Sequence, residues 1–288
     1  KINNMNKEVT VYEPNQRLKI GFFETWVIMF KNIVKSKELI IQLFKRDFFM
    51  SYKKSYLGLA WILISPLVGI VSWVFLNSAG ILQPGDTPIP FPAYVLLGSS
   101  IWGLFMGFYG SAGGTLGAGA GFINQVKYPH EALLIKQTAQ HIANFLITFV
   151  VNIIVLLLFG VTPSLGILLF PLTAIPLFFL GAGLGLIVSV LSVVASDLTN
   201  VINIIMGFVF YAIPIVYQID KIENPLLQTV VQINPLTYLV TGARDIIVEG
   251  TIHYPERYLL VAAISFVFFM LSWRLFYVSE DKVIERMI

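Results

Sequence analysis

The sequence predicts an all-α membrane protein: six transmembrane helices, an N-terminal amphipathic interface helix, and a re-entrant helix pair between spans five and six. Three observations carry this. Of 288 residues, 57% are hydrophobic and only 12% are charged, against roughly 45–50% and about 25% in soluble domains. The charges leave neutral stretches at 55–85, 87–126, 137–196, 198–219 and 258–273, and about 20 mostly apolar residues suffice for a helix to cross a bilayer. Assigning alternate loops of a six-span chain to the two sides puts 16 Lys and Arg with the termini and three (Lys221, Arg244, Arg257) opposite. By the positive-inside rule both termini are then cytoplasmic. An error of one span would scatter this asymmetry.

Residues 1–56 are expected to form a cytoplasmic segment. No cleavable signal peptide is expected, because the first apolar run, Ile20 to Val34, carries Glu24 and Lys31. Within this segment, residues 36–52 place Leu39, Ile40, Leu43, Phe44 and Phe48 at helical spacing, with Lys37, Glu38, Gln42, Lys45, Arg46 and Asp47 mostly on the other side. Such a helix lies in the interface plane. Lys53 and Lys54 follow it directly.

The transmembrane domain is expected over 57–278, with a tail at 279–288. Span one runs from Leu57 to Ser78 and closes at Gln83-Pro84-Gly85-Asp86. Span two starts after Pro92, because Pro88, Pro90 and Pro92 oppose an earlier start, and reaches Gly113. Gly113 to Gly121 is glycine-rich without the strand-turn-helix context of a dinucleotide site, and reads as flexible or closely packed helix. The 60 residues from 137 to 196 form a hairpin of spans three and four, broken at Gly160-Val-Thr-Pro163-Ser. Asp197 and Asn200 separate span four from span five, Val201 to Tyr217. Span six runs from Arg257 to Val278, with Arg257 and Arg274 able to snorkel to opposite interfaces. In the non-cytoplasmic region 219–256, Ile222, Leu226, Leu227, Val230 and Val231 recur at helical spacing. After Asn234-Pro235, Leu236, Leu239, Val240, Ala243, Ile246 and Ile247 do so again, giving two short helices that dip into the membrane.

Several chemistries lack their residues. Zero cysteine removes disulfides, thiolate metal sites and a Cys nucleophile. No glycine precedes a lysine, so no phosphate-binding P-loop exists in this sequence. His130, His141 and His253 have no metal-ligand partner at i+3 or i+4. His141 is expected to make a helix-to-helix hydrogen bond, and the pairs Gly103/Gly107 and Gly181/Gly185 to make close helix contacts. The span centres carry no ionisable side chain, which disfavours proton- or sodium-driven transport. The net charge of +3 is explained by topology, so no nucleic acid partner is expected. Aromatic residues are plentiful within the spans and can stack on sugar rings.

Leu39 to Leu67 resembles the entry to span one in membrane subunits of ABC-type polysaccharide exporters, through Arg46-Asp47, Tyr52-Lys53-Lys54, Leu57-Gly58, Trp61 and Pro66. Asn124 to Glu131 resembles the cytoplasmic coupling element of that family. Pro214-Ile-Val-Tyr217 and Asn234-Pro235-Leu236 match further landmarks in the same order. At the family's Arg-Asp pair this chain has Ser196-Asp197. The resemblance implies a homodimer associated with two copies of a cytoplasmic ATP-binding subunit, located in the bacterial cytoplasmic (inner) membrane. Its cargo would be a glycan on undecaprenyl or another lipid: O-antigen, teichoic acid or capsule.

No cofactor is expected in this chain; ATP and Mg belong to the partner subunit, and membrane lipids surround it. The resemblance further implies an entrance for a lipid pyrophosphate at Arg46, Lys53, Lys54, Leu57 and Gly58. Conduit aromatics are expected at Trp61, Phe208, Tyr211 and Tyr217, ATPase coupling at Lys127, Tyr128, Pro129, His130 and Glu131 within loop 121–136, and an exit gate at Asn234 and Pro235. Two alternatives stand beside it. One is a drug or lipid exporter of the same architecture. The other is a membrane-embedded transferase using Asp86, Asp220, Glu223, Asp245, Glu249 or Glu256, which form no tight motif.

Overall fold

The computed structural model describes residues 16–53, 60–81, 87–119 and 129–287. These residues form eleven α-helices and no strand. A helix pair comes first, α1 (Phe22–Lys35) and α2 (Lys37–Lys53). The second is the expected interface helix. The first forms over the apolar run from Ile20 to Val34. Then follow α3 (Ala60–Ser78), α4 (Phe91–Gly113), α5 (Thr115–Gly119), α6 (His130–Leu158), α7 (Phe170–Val194) and α8 (Ser196–Tyr211). The chain closes with α9 (Pro225–Ile233), α10 (Pro235–Val248) and α11 (Pro255–Met287).

Among the described residues four helical segments are long and apolar enough to cross a membrane: Phe91–Gly113, His130–Leu158, Leu165–Val193 and Pro255–Glu280. The segments expected as spans one and five are shorter apolar helices, Leu67–Ser78 and Asp197–Tyr211. At 1.5 Å per residue, α8 with its 16 residues is only about 24 Å long. Helix α4 packs on α7, α6, α3 and α10, and α11 packs on α7 and α10.

Several boundaries moved for identifiable reasons. Helix α4 starts at Phe91 with Pro92 in its first turn, where proline's missing N–H leaves no helical bond unmade. Span four continues to Val194, and the break falls at Ala195, so Ser196 and Asp197 form the first turn of α8. Span five was expected to reach Tyr217, yet α8 stops at Tyr211. Pro214 cannot donate to the helix and disfavours helical backbone just before it. The helix expected as span six runs on past Val278, since α11 continues unbroken to Met287. The expected coupling loop is shorter than 121–136, since α6 already begins at His130.

Helix α7 is the centre of the packing, lying between α4 and α11. Its glycines make this possible. A methyl group on Gly185 would stand 2.3 Å from the Tyr109 carbonyl oxygen, and one on Gly181 would stand 2.8 Å from that of Phe105. The Gly181/Gly185 pair is therefore a close helix contact, as expected. Gly107 serves otherwise: it leaves room for the His141 ring, whose Nε2 lies 3.0 Å from the Leu104 carbonyl. Gly103 meets nothing. Helices α3 and α6 end in left-handed glycines, Gly80 (φ 73) and Gly160 (φ 75). Ile81 and Val161 donate back to Leu76 and Leu156 at 3.1 and 2.9 Å, the hydrogen-bond pattern of a Schellman cap.

Candidate functional site

The polar side chains collect at the two ends of the bundle. One end joins the N-terminal helices, the start of α6 and the end of α11. Glu280, 3% exposed, accepts hydrogen bonds from Arg17 and lies 2.7 Å from His130 Nδ1. Arg17 also stacks on the Tyr277 ring at 4.6 Å. Asn32 of α1 reaches Glu131 at 3.5 Å. From α2, Asp47 pairs with Lys136 at 2.5 Å and accepts from Arg46 at 2.7 Å. Burial pushes the Asp47 carboxyl up, but these two cations more than offset it and hold the group below its ordinary value. Three stretches distant in sequence, residues 16–53, the start of α6 and the end of α11, are thereby tied together.

Pro129, His130 and Glu131 come to this place, with Pro129 capping α6 and the other two buried at 2% and 1% exposure. They meet α11 and α1 rather than an open surface. Lys127 and Tyr128 lie outside the described residues, as do Lys54, Leu57 and Gly58. Arg46 sits on α2, seven residues and two turns before Lys53. Sequence reasoning missed Arg17, Asn32, Lys136 and Glu280, which recur in no pattern and become partners only through packing.

At the opposite end, residues 212–217 have left the helix, and their carbonyls take side-chain donors instead. Asn234 Nδ2 donates to the Ala212 carbonyl at 3.1 Å, Arg244 to that of Pro214 at 3.0 Å, and the Tyr94 hydroxyl to that of Tyr217 at 3.0 Å. Asn234 also caps α10, its Oδ1 accepting from Leu236 N at 3.0 Å. Pro235, the first residue of α10, is exposed. Arg244, 6% exposed, lies 3.8 Å over the Tyr94 ring. It was a signal in the sequence: a lone cation within an apolar helical run. Beside it opens a cleft of about 160 Å³, lined by Tyr94, Pro214, Asp220, Asp245, Glu249 and His253 among others. There His253 bridges Asp245 (2.9 Å) and Glu249 (3.2 Å). The Asp245 hydrogen bond, helped by both carboxylate charges, holds the His253 ring above its ordinary value.

The expected conduit aromatics divide. Trp61, Phe208 and Tyr211 are 53%, 70% and 64% exposed on the single chain, whereas Tyr217 is half-buried and donates to the Tyr211 carbonyl at 2.9 Å. A second aromatic group is packed inside: Phe210 stacks on Trp73 at 6.2 Å and meets Trp102 edge-on at 5.9 Å. Helices α3 and α8 thus carry both exposed aromatics and aromatics packed against each other and α4.

Against known proteins, the family model described as ABC-2 type transporter matches residues 38–248. Three curated relatives are named O-antigen export system permease protein RfbA. The one from Myxococcus xanthus is 21% identical over 257 residues, covering 88% of this chain and 97% of its own length. Two from Klebsiella pneumoniae are 25% and 26% identical over 219 and 223 residues, each covering 75% of this chain and 83% of their own.

Proposed function

The chain belongs to the ABC-2 type transporter family, and from that premise we propose that it is the permease subunit of an ABC exporter that carries a lipid-linked polysaccharide of the O-antigen kind across the bacterial inner membrane. The observation that carries this is the collinear likeness to O-antigen export permeases over three quarters or more of the chain. Family membership implies an ATP-binding partner. In the proposed assembly two copies of this chain join two ATP-binding subunits, which hold ATP and Mg, and this chain does no bond chemistry itself.

The topology proposed is six spans, with α3 and α8 completing the four longer ones and both termini cytoplasmic. The Lys and Arg asymmetry supports that orientation. The exposed faces of α3 and α8, carrying Trp61, Phe208 and Tyr211, would line the glycan path between two copies, with Tyr217 at its end. Helices α9 and α10, hinged at Asn234-Pro235, would form the re-entrant exit gate. The cations Arg46, Lys53 and Lys54, with Leu57-Gly58, would receive the lipid pyrophosphate by charge attraction at the interface. ATPase motion would arrive at Lys127, Tyr128 and Pro129. It would pass inward through buried His130 and Glu131, whose contacts reach α11 through Glu280 and α1 through Asn32.

Copurification with the ATP-binding subunit, followed by reconstitution with one defined lipid-linked glycan, tests the reading. ATP-dependent transport of the glycan is expected. A Lys53→Ala/Lys54→Ala variant should assemble normally and lose transport; unchanged export would reduce these lysines to topology signals. Transport of lipid or drug without the glycan would favour the exporter of other cargo.

A further inference from the structure

Helix α1 precedes the residues matched by the family model and presents more than one face. On one face Thr25, Trp26 and Met29 are buried. Trp26 lies edge-on to the Trp273 ring of α11 at 6.4 Å. Beside that face, Phe23, Val27, Phe30 and Val34 recur at i, i+4, i+7 and i+11 as a stripe, 82%, 52%, 57% and 65% exposed. Helical spacing puts the exposed Lys31 and Lys35, one turn apart, along the flank of the stripe away from α11. The acidic residue of the helix, Glu24, stands two turns earlier. A shallow groove lined by Trp26, Val27, Phe30, Lys31, Val34 and Lys35 runs along this surface, with a volume of about 610 Å³.

We propose that this surface of α1 binds anionic phospholipid of the adjoining leaflet, with the stripe among the acyl chains and the Lys31 and Lys35 ammonium groups at the headgroup phosphates. Two features select lipid over a protein occupant. The stripe adjoins the end of a helix long and apolar enough to cross a membrane: Phe30 meets the ring of Trp273, which lies within the Pro255–Glu280 segment, at 6.0 Å. The charge also stands where a snorkelling side chain needs it. Two lysines border the apolar stripe, and Arg274 lies 4.7 Å over the Phe22 ring where α11 passes from apolar to charged residues. The inference rests on α11 spanning the membrane and not on what the exporter carries, so it stands or falls apart from the cargo.

The chain has no cysteine, so single-cysteine probes read this surface without background. Bimane attached to Phe30→Cys or Val34→Cys, in the full-length permease reconstituted with and without its ATPase subunit, is compared with Glu223→Cys in an exposed loop. In vesicles of brominated phosphatidylglycerol and phosphatidylcholine, the α1 labels should be quenched by bromine severalfold more than the Glu223→Cys label, and little by aqueous iodide. Lys31→Ala/Lys35→Ala should lower the preference for phosphatidylglycerol about tenfold. Iodide quenching equal to that at Glu223→Cys, with no bromine effect, would overturn the proposal. So would protection that develops only when the ATPase subunit is added, which would make α1 a protein-docking surface. Val34→Cys, which replaces no ring contact, keeps the test sound if Phe30→Cys disturbs the fold.

Discussion

The two ends of the bundle solve the same problem, charge inside an apolar protein, in opposite ways. At the Glu280 end, opposite charges pair: Arg17 meets a buried carboxylate that His130 also contacts, and Lys136 meets Asp47. At the Arg244 end, the buried cation is held by an aromatic face and a backbone carbonyl, a carbonyl that is available because Pro214 has broken the helix. Side-chain pairing couples segments far apart in sequence and resists their separation. Side-chain-to-carbonyl bonding stabilises an irregular backbone that could not exist bare in a membrane. The first arrangement ties separate helices into one unit, and the second leaves an end where helices stop short beside a cleft.

Breaking the comparison at its strongest point means removing Glu280. Glu280→Ala leaves the buried His130 and the half-buried Arg17 without their carboxylate partner and should cost about 3 kcal/mol, read as a large fall in thermal stability in detergent. A smaller loss is expected from Arg244→Leu, which strands the Pro214 carbonyl and removes the cation from the Tyr94 ring, at about 2–3 kcal/mol. Because the two sites share no partners, the double variant should show the sum of the losses; a clear departure would mean that the ends are coupled through α11 and α4. Gly160→Ala forces a side chain into a left-handed cap and should cost about 1 kcal/mol, measurable as a modest shift in the same melt.

The smallest effect sharpens the contrast through pH. His253 is held above its ordinary value of about 6.5 by Asp245 and Glu249. Its ion pairs are therefore fully formed below that value and lost as pH rises through the raised one. Titration of the His253 ring by NMR should give a value above 6.5 that falls back in Asp245→Asn. At the other end the sign reverses: Asp47 is held low, so its pair with Lys136 persists at neutral pH and is lost as pH falls through the lowered value.

Much of the helix pattern was legible because membrane helices declare themselves by composition. Charge-free stretches located α4, α6, α7 and the apolar half of α11, and the period of Leu39 to Phe48 located α2. Asn234-Pro235 marked the junction of α9 and α10, since an Asn cap followed by Pro at the first position is a local signal. Helix α1 was underread, because its apolar run serves two faces at once, one against α11 and one exposed. The site was less legible. His130 and Glu131 read as loop contacts, yet their burial depends on α11 and α1, which lie about 150 and 100 positions away in the chain.

By itself the sequence determined the membrane class and the order of the apolar helices, because hydrophobic length acts locally and needs no partner. The tertiary structure alone decided which charges are paired and which glycines hold helices together. It also decided where α8 ends and that Arg244 lies on Tyr94. Those outcomes depend on which faces meet when α7 packs between α4 and α11, and a buried charge or a missing Cβ has a meaning only once its neighbour is in place.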